Sequence, residues 1–336
     1  MKFSKYSSIE NTSREKTLEE IKLHGFHNHD WIAELKIDGT NFSIVRDKDG
    51  VAFAKRSGII GEGENFFNYQ KILPELNRIH EALWTHLTQD ASVEHLCIRG
   101  ELFGGYYPHK DIPSVNGAKA IQKRTAYGPG LYYRVFDIMV NGQYLRASVR
   151  HTLCSFLQIP CVSILNHGKL DDLLELDPIF QDPIAEELGL PQIEKNYAEG
   201  YVFKPIEPLY LPNGERVILK HKNPAFDDIH KKKNKKSVKK VNMPPELQNE
   251  ALNISQYITE NRLRDVLGKL GNEFTNKSFG KIISTFNADI IDDYRKDSKV
   301  FNTLSKEDQK VVTRYLNSQA SNFLRQRFIN IIDGRF

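Results

Sequence analysis

Between Trp31 and Asn41 the chain alternates, with Trp31, Ala33, Leu35 and Ile37 on one side of an extended segment and Ile32, Glu34, Lys36 and Asp38 on the other. The pattern predicts a strand ending at Gly39, where the backbone can turn sharply. Further strands are predicted at 41–46 and 51–55, joined as a hairpin across Asp47-Lys48-Asp49-Gly50. Others follow at 95–103, 131–140, 198–204 and 215–222, the last two flanking the turn Leu211-Pro212-Asn213-Gly214. Thr12-Ser13-Arg14-Glu15 has capping-box spacing and predicts a short helix running to His24. Residues 65–87 read as a helix broken or kinked at Pro74, and 148–157 as another. The acidic stretch 170–190, with Pro178 and Pro183, reads as short helices and loops. Beyond residue 243 strand-like stretches become few, and 246–271, 278–294 and 306–332 show helical periodicity. The expected organisation is therefore a mixed α+β body over 1–227, a linker over 228–243 and an all-α domain over 244–336.

Composition changes this picture little. The 336 residues are 40% hydrophobic and 27% charged, as in an ordinary globular protein, and the apolar runs are too short to span a bilayer. No signal-peptide pattern opens the chain, and Cys97, Cys154 and Cys161 are odd in number without metal-ligand spacing. They read as reduced core thiols in an intracellular protein. Charge is more informative. The net charge is +4, yet the run 231–240 (KKKNKKSVKK) holds 7 lysines, without which the chain stands at −3. One positive segment on a near-neutral body reads as a solvated linker that can also hold a polyanion by releasing its counterions. His27-Asn28-His29-Asp30 reads as a loop rather than a metal site, since no further ligands lie at useful spacing. Nothing suggests an obligate coiled coil, and a monomer is expected.

Several strands carry polar residues that a core strand does not need. In CIRGELFGG, Cys97, Arg99, Glu101 and Phe103 share a face, and in YYRVFDI so do Tyr132, Arg134, Phe136 and Ile138. Glu199 precedes Gly200 in AEGYVFKP, and Lys220 and Lys222 project together in LKHKN. Each alone has a structural explanation: a core Phe, a salt-bridged Glu, an exposed lysine pair, or Lys36 paired with Glu34 or Asp38.

In this order, however, Lys36-x-Asp-Gly, Arg56 in AKRSG, RGELFGG, YYRVFDI, AEGYVFKP and LKHKN resemble the ordered motifs of covalent nucleotidyltransferases, the superfamily of ATP-dependent DNA ligases, RNA ligases and mRNA capping enzymes. The chain most resembles the RNA ligase 2 family, typified by the phage T4 enzyme that seals nicked double-stranded RNA, with the trypanosome RNA-editing ligases as relatives. The opening KYSSIEN, the block WIAELKIDGTNFS, and YITENRLRDVLGKLG followed by KSFGKI in the helical tail extend the likeness from Lys5 to about Tyr294. The resemblance implies an ATP-grasp-like nucleotidyltransferase domain of antiparallel sheets and helices. It implies ATP and Mg2+ (or Mn2+) as cofactors and nicked duplex RNA with 3′-hydroxyl and 5′-phosphate ends as substrate.

By the same resemblance Lys36 is the nucleophile that forms lysyl-AMP, and Lys220 and Lys222 grip the α-phosphate. Phe136 stacks on adenine, Arg56 and Glu101 hold the ribose hydroxyls, Ile37 and Asn41 complete the nucleotide site, and Glu199 binds the metal. In the tail, Arg262, Asp289 and Asp293 fall where the family engages RNA. Two positions depart from the family pattern: Asp38 replaces the usual histidine, a choice more like that of DNA ligases, and Leu35 replaces a frequent glutamate.

The chemistry is consistent with these residue types. A lysine of pKa ~10.4 is neutral about once in ~2,000 at pH 7, and lowering it by ~2–3 units, roughly 3–4 kcal/mol, takes desolvation or nearby positive charge. Lys220, Lys222 and a divalent ion would supply that charge, whereas Glu34 or Asp38 at the amine would oppose it, so neither is expected closest to the amine when ATP and metal are bound. DNA ligases and capping enzymes normally carry a β-rich OB module after the last lysine motif, which the helical tail here does not resemble. A catalytically silent nucleic-acid-binding relative is the remaining alternative, though such a relative would be free to lose Lys36, the two glutamates and the paired lysines. If the lysine run contacts phosphate, replacing its lysines by serine should weaken RNA binding at low salt and leave self-adenylylation intact. Affinities compared across a salt series check this, and an unchanged affinity makes the run a spacer.

Overall fold

The computed structural model describes residues 3–227 and 243–336, so the lysine run lies outside the described residues. The chain divides into two compact units, Met1–Ala225 and Phe226–Phe336.

The first unit is built on two sheets. The strands are β1 (Glu10–Asn11), β2 (Trp31–Lys36), β3 (Thr40–Asp47), β4 (Gly50–Lys55), β5 (Gly58–Ile59), β6 (His95–Tyr106), β7 (Gly128–Val140), β8 (Gln143–Tyr144), β9 (Ile164–Gly168), β10 (Gly200–Pro205) and β11 (Leu219–Lys222). Five form a sheet in the order β1-β11-β10-β2-β9 and six form another in the order β5-β4-β3-β6-β7-β8. All neighbours are antiparallel except β1, which runs parallel to β11. One face of the five-stranded sheet presents Trp31, Ala33, Tyr201, Phe203 and Leu219 to α1 (Glu15–Leu23) and to Leu170 and Leu173. One face of the six-stranded sheet presents Phe42, Ile44, Ile98, Leu102, Tyr133 and Val135 to α2 (Leu73–Leu87) and α3 (Ala147–Phe156).

Between β2 and β10 on one side and β7 on the other lies a charged layer. Asp137 accepts from Tyr6 (2.5 Å), from Arg216 (2.7 and 3.1 Å) and from Lys204 (3.3 Å). Glu34 pairs with Arg150, and with Lys204 at 2.8 Å. Burial alone would raise both carboxyls, but the cations outweigh it: Arg150 and then Lys204 bring Glu34 down to about 2, and Lys204 and then Arg216 hold Asp137 well below the usual carboxylate range. A buried ion cluster of this kind adds little net stability over an apolar core, but removing one member strands its partners.

Several expectations need correction. Helix α1 begins at Glu15 with Arg14 in the cap position and no side-chain cap bond, so the capping box does not form; the Thr12 hydroxyl bonds His221 Nδ1 at 2.8 Å instead. Pro74 does not break a helix. It starts α2, where its missing N–H costs nothing, and residues 65–68 precede the helix as turns. Tyr132, Arg134, Phe136 and Ile138 do not share one face. Arg99 pairs with Asp137 but Gly100 with Val135, so a bulge at Phe136 flips the parity and returns Ile138 to the core. The strand predicted over 215–222 is regular only over β11, and β9 has no clear alternation.

In the second unit, the stretch 246–271 is two helices, α4 (Pro245–Ser255) and α5 (Glu260–Leu270), since residues 256–259 turn between them. With α6 (Phe279–Asp297) and α7 (Lys306–Arg325) they enclose a core of Leu247, Leu263, Val266, Ile282, Phe286, Ile290 and Leu316. No helix among the described residues is long and apolar enough to cross a membrane.

The close approach of β10 to β11 depends on Gly200. Its φ is +130°, and a Cβ there would lie 2.1 Å from the His221 carbonyl oxygen. Gly200→Ala should therefore cost about 3 kcal/mol or more, combining strain with displacement of β11. Urea unfolding measures this, and a loss below about 1 kcal/mol would show that the strand pair yields easily.

Candidate active site

Lys36 ends β2 and is level with Gly200 of β10, which is level with Lys222 of β11. Paired residues of adjacent strands share a face, so the two lysines flank a residue with no side chain. Strict alternation would send Glu199 to the opposite face. The positive φ of Gly200 breaks the alternation and brings the Glu199 carboxylate round between the lysines. Its Oε2 accepts from Lys36 Nζ at 2.6 Å, and its Oε1 lies 3.2 Å from Lys222 Nζ. Burial would raise this carboxyl, but Lys36 first and Lys222 second lower it to about 2. Lys36 keeps 19% of its side-chain surface, enough to be reached, while Glu199 and Lys222 are buried.

Neither acid neighbouring Lys36 in sequence is its partner here. Glu34 is committed to Arg150 and Lys204, and Asp38 is clamped by Arg124. Gly39 is needed because of contact rather than turn geometry, since a Cβ would lie 2.5 Å from the Leu102 carbonyl oxygen and 2.9 Å from Glu101 Cγ.

The six-stranded sheet supplies the other wall. Asn41, Glu101 and Arg134 are level across β3, β6 and β7, and Arg56 follows the end of β4. The Glu101 carboxyl has no hydrogen bond or ion pair among the described residues. Burial pushes its carboxyl up to about 8; Lys36 and Arg56 pull it down while Glu199 and Asp38 push it up, which places it among all four. Next to this row lies an apolar patch of Leu35, Ile37, Phe103 and Tyr127, with Tyr132 and Phe136 half-buried against it. The Phe136 ring sits edge-on to Tyr6 at 5.1 Å and 5.6 Å from Lys204 Nζ, while its carbonyl accepts from Lys204 (2.8 Å) and from Arg150. The charged layer thus fixes the bulge that carries this ring.

The structure therefore brings Lys36, Glu199 and Lys222 together, with Glu101 and Arg56 near enough to feel one another's charge, Asn41 level with Glu101, and Ile37 and Phe136 in the adjoining apolar patch. Lys220 is two residues back on β11, level with Val202 and so with Glu34 rather than Lys36. Arg262, Asp289 and Asp293 belong to the helical unit. There Arg262 is buried, 2.5 Å from Asp289 and 2.9 Å from Asp293, so it braces α5 on α6. No three metal-binding side chains cluster among the described residues. Glu199, with Glu101 nearby, does fit a magnesium ion, which keeps its waters and takes phosphate oxygens instead of a full protein cage.

Residues 29–222 match the RNA ligase family, and 242–322 match the T4 RNA ligase 2 C-terminal family. The chain belongs to the RNA ligase family. The mitochondrial RNA-editing ligase 2 of Trypanosoma brucei brucei is 26% identical to it over 352 residues, covering 88% of this chain and 84% of that one. The mitochondrial RNA-editing ligase 1 of the same organism is 31% identical over 252 residues, covering 65% of this chain and 52% of that protein, so the match spans about half its length. A Naegleria gruberi RNA ligase variant solved with ATP and Mn shows a likeness at TM-score 0.42 and 18% identity, covering 67% of this chain and 57% of that one. That likeness is too slight to carry an argument.

Within this RNA ligase, Arg124, Tyr127, Asp137, Arg150 and Lys204 shape the site although sequence reasoning passed over them. Asp137 and Lys204 stood inside the recognised motifs YYRVFDI and AEGYVFKP. Arg124 and Arg150 carried no signal beyond being basic, because their partners are remote in sequence.

A carboxyl raised to about 8 costs the native state stability as pH climbs from about 4.5, because the unfolded form ionises first. Glu101→Gln removes that loss. Its melting temperature should exceed that of the unsubstituted protein by a margin that widens from pH 5 to pH 8 and then levels. A margin independent of pH would contradict the raised carboxyl.

Proposed function

We propose that this chain is an ATP-dependent RNA ligase that joins a 3′-hydroxyl to a 5′-phosphate in nicked duplex RNA, by way of lysyl-AMP and RNA-adenylate. The observation that carries the reading is the Lys36 amine on the Glu199 carboxylate, with Lys222 on the other oxygen. A stand-alone salt bridge would not need a third charged group so closely placed, nor a nearby carboxyl left without a partner.

In this reading Lys36 leaves Glu199, loses a proton and attacks the α-phosphorus of ATP, expelling pyrophosphate. Lys222 meets the α-phosphate together with Lys220, and a group fixed in place before the reaction needs no reorganisation as charge develops. A magnesium ion held on Glu199 through water would add positive charge at the same phosphate. Phe136 stacks on adenine against the patch of Ile37 and Phe103, which removes about the surface of one aromatic face from water. Arg56, Asn41 and Glu101 hold the ribose, and a Glu101 carboxyl near neutrality can either donate or accept there. AMP then passes to the RNA 5′-phosphate, and the 3′-hydroxyl displaces it. The first two displacements are in line at the AMP phosphorus and the third at the phosphorus of the RNA 5′-phosphate, with AMP leaving, so a single set of cations serves each. In the helical domain, the Arg262–Asp289–Asp293 brace contributes to RNA engagement by holding the helices that meet it. The lysine run over 231–240 adds salt-sensitive attraction.

Sealing assays with ATP and magnesium on all-RNA and all-DNA nicked duplexes test the assignment. The RNA duplex should be joined at least ~100-fold faster, and Lys36→Ala should abolish joining of both, since the covalent route has no substitute nucleophile. Preference for the DNA duplex would move the chain to DNA repair chemistry.

A further inference from the structure

The proposed ligase chemistry makes no use of Cys154 and Cys161, yet their side chains meet. Cys154 lies in the last turn of α3, four residues after Arg150 and so on the same face of that helix. The chain then turns back, with the Ile159 N–H donating to the Cys154 carbonyl at 2.7 Å. Cys161 runs beside Val135 of β7: the Val135 N–H donates to the Pro160 carbonyl at 2.9 Å, and the Val162 N–H to the Val135 carbonyl at 3.0 Å. This path brings both side chains to one apolar cluster, where the two thiols hydrogen-bond each other. Neither forms a disulfide; Cys154 is buried and Cys161 partly exposed. Solvent therefore reaches one sulfur, and the other lies behind it.

The surroundings make the pair unequal. Cys154 donates to Cys161, and Arg150 and His151 add to that effect against burial and Glu34, so the Cys161 thiol is held below its usual range. The donor Cys154 is pushed far up. Since the thiolate is the reactive form, Cys161 is the attacking sulfur and Cys154 the one placed to resolve it. The third cysteine, Cys97, is buried, and burial raises its thiol. The pair also adjoins the layer beneath the active site. Burial opposes the charge on Arg150, Glu34 and then Cys161 support it, and the guanidinium donates to the Phe136 carbonyl.

We propose that Cys154 and Cys161 are a redox-modification site, which a hydroperoxide closes to a disulfide that disturbs the hold of Arg150 on Phe136 and Glu34. Closing the bond draws the sulfurs nearer than hydrogen-bond contact, so α3 and the segment beside Val135 shift against each other. In the first step the Cys161 thiolate attacks one peroxide oxygen, the O–O bond breaks, and the departing oxygen takes a proton, leaving a sulfenic acid. The Cys154 sulfur then attacks Cys161 while its proton goes to the leaving hydroxide, so water departs and the S–S bond forms. Two thiols thus give up two electrons and two protons, and hydrogen peroxide becomes two waters. The modification goes beyond the ligase reading; only its effect on AMP loading rests on that reading.

The test exposes reduced full-length protein to hydrogen peroxide at a dose that fully oxidises glutathione. Remaining thiols are then capped and the digest is mapped without reductant. The intact protein should be two hydrogens lighter, with one linked peptide pair holding Cys154 and Cys161 and with Cys97 recovered as a capped thiol. Loading with AMP from ATP and magnesium should fall at least about threefold, because a displacement remote from the reacting atoms is felt there. A dithiol reductant should restore both mass and loading. Cys161→Ser should load AMP like the reduced protein and lose both the linkage and the sensitivity. In Cys154→Ala, Cys161 should go on to the sulfinic acid. The proposal is overturned if the unsubstituted protein keeps both thiols, if Cys161 reaches the sulfinic acid without linking, or if Cys97 supplies the partner. A linked protein whose loading falls by less than about threefold overturns it as well. Should Cys161→Ser not fold, Cys154→Ala carries the comparison. If the reduced protein loads no AMP, the ligase reading fails and the peptide map alone decides the dithiol.

Discussion

The carboxylate of Glu199, held between the ammonium groups of Lys36 and Lys222, is the contact on which the first unit's arrangement depends. Three strands have to be in register for it to form: β2 to end at Lys36, β11 to end at Lys222, and β10 to begin between them with a residue that lets the chain approach His221. Removing Glu199 would strip both lysines of the carboxylate they share. The same contact keeps the amine in a defined place, and in the proposed reaction phosphate and a divalent ion take over from it.

Beneath this centre, the layer of Asp137, Glu34, Lys204, Arg150 and Arg216 does a different task. Its members are almost fully buried and mutually paired, and two of them grip the Phe136 carbonyl. A bulge would otherwise be a soft point in β7. Two cations hold the Phe136 carbonyl and the Tyr6 ring packs edge-on against the Phe136 ring, so the N-terminal segment helps to position it.

Much of this was legible in the residues. Runs of strand-like residues located β2, β3, β4, β6, β7 and β10. Such patterns failed where a bulge changed parity at Phe136, and where Thr12 found a tertiary partner in His221 instead of capping its helix. The gathering of Lys36, Glu199, Lys222 and Glu101 was readable because their motifs are ordered along the chain. The clamp of Arg124 on Asp38 was not, since 86 residues separate the two and neither residue type implies the other. The brace of Arg262 on Asp289 and Asp293 likewise needed two helices to be set side by side before it could be seen.

The account's central claim is that the amine on Glu199 is the group that carries AMP. Peptide mapping after brief exposure of the protein to ATP and magnesium tests this most directly. The account predicts one acid-labile AMP adduct, on the peptide containing Lys36 and assigned to that residue by fragmentation. An adduct on any other residue, or none while RNA ends are being joined, would contradict it.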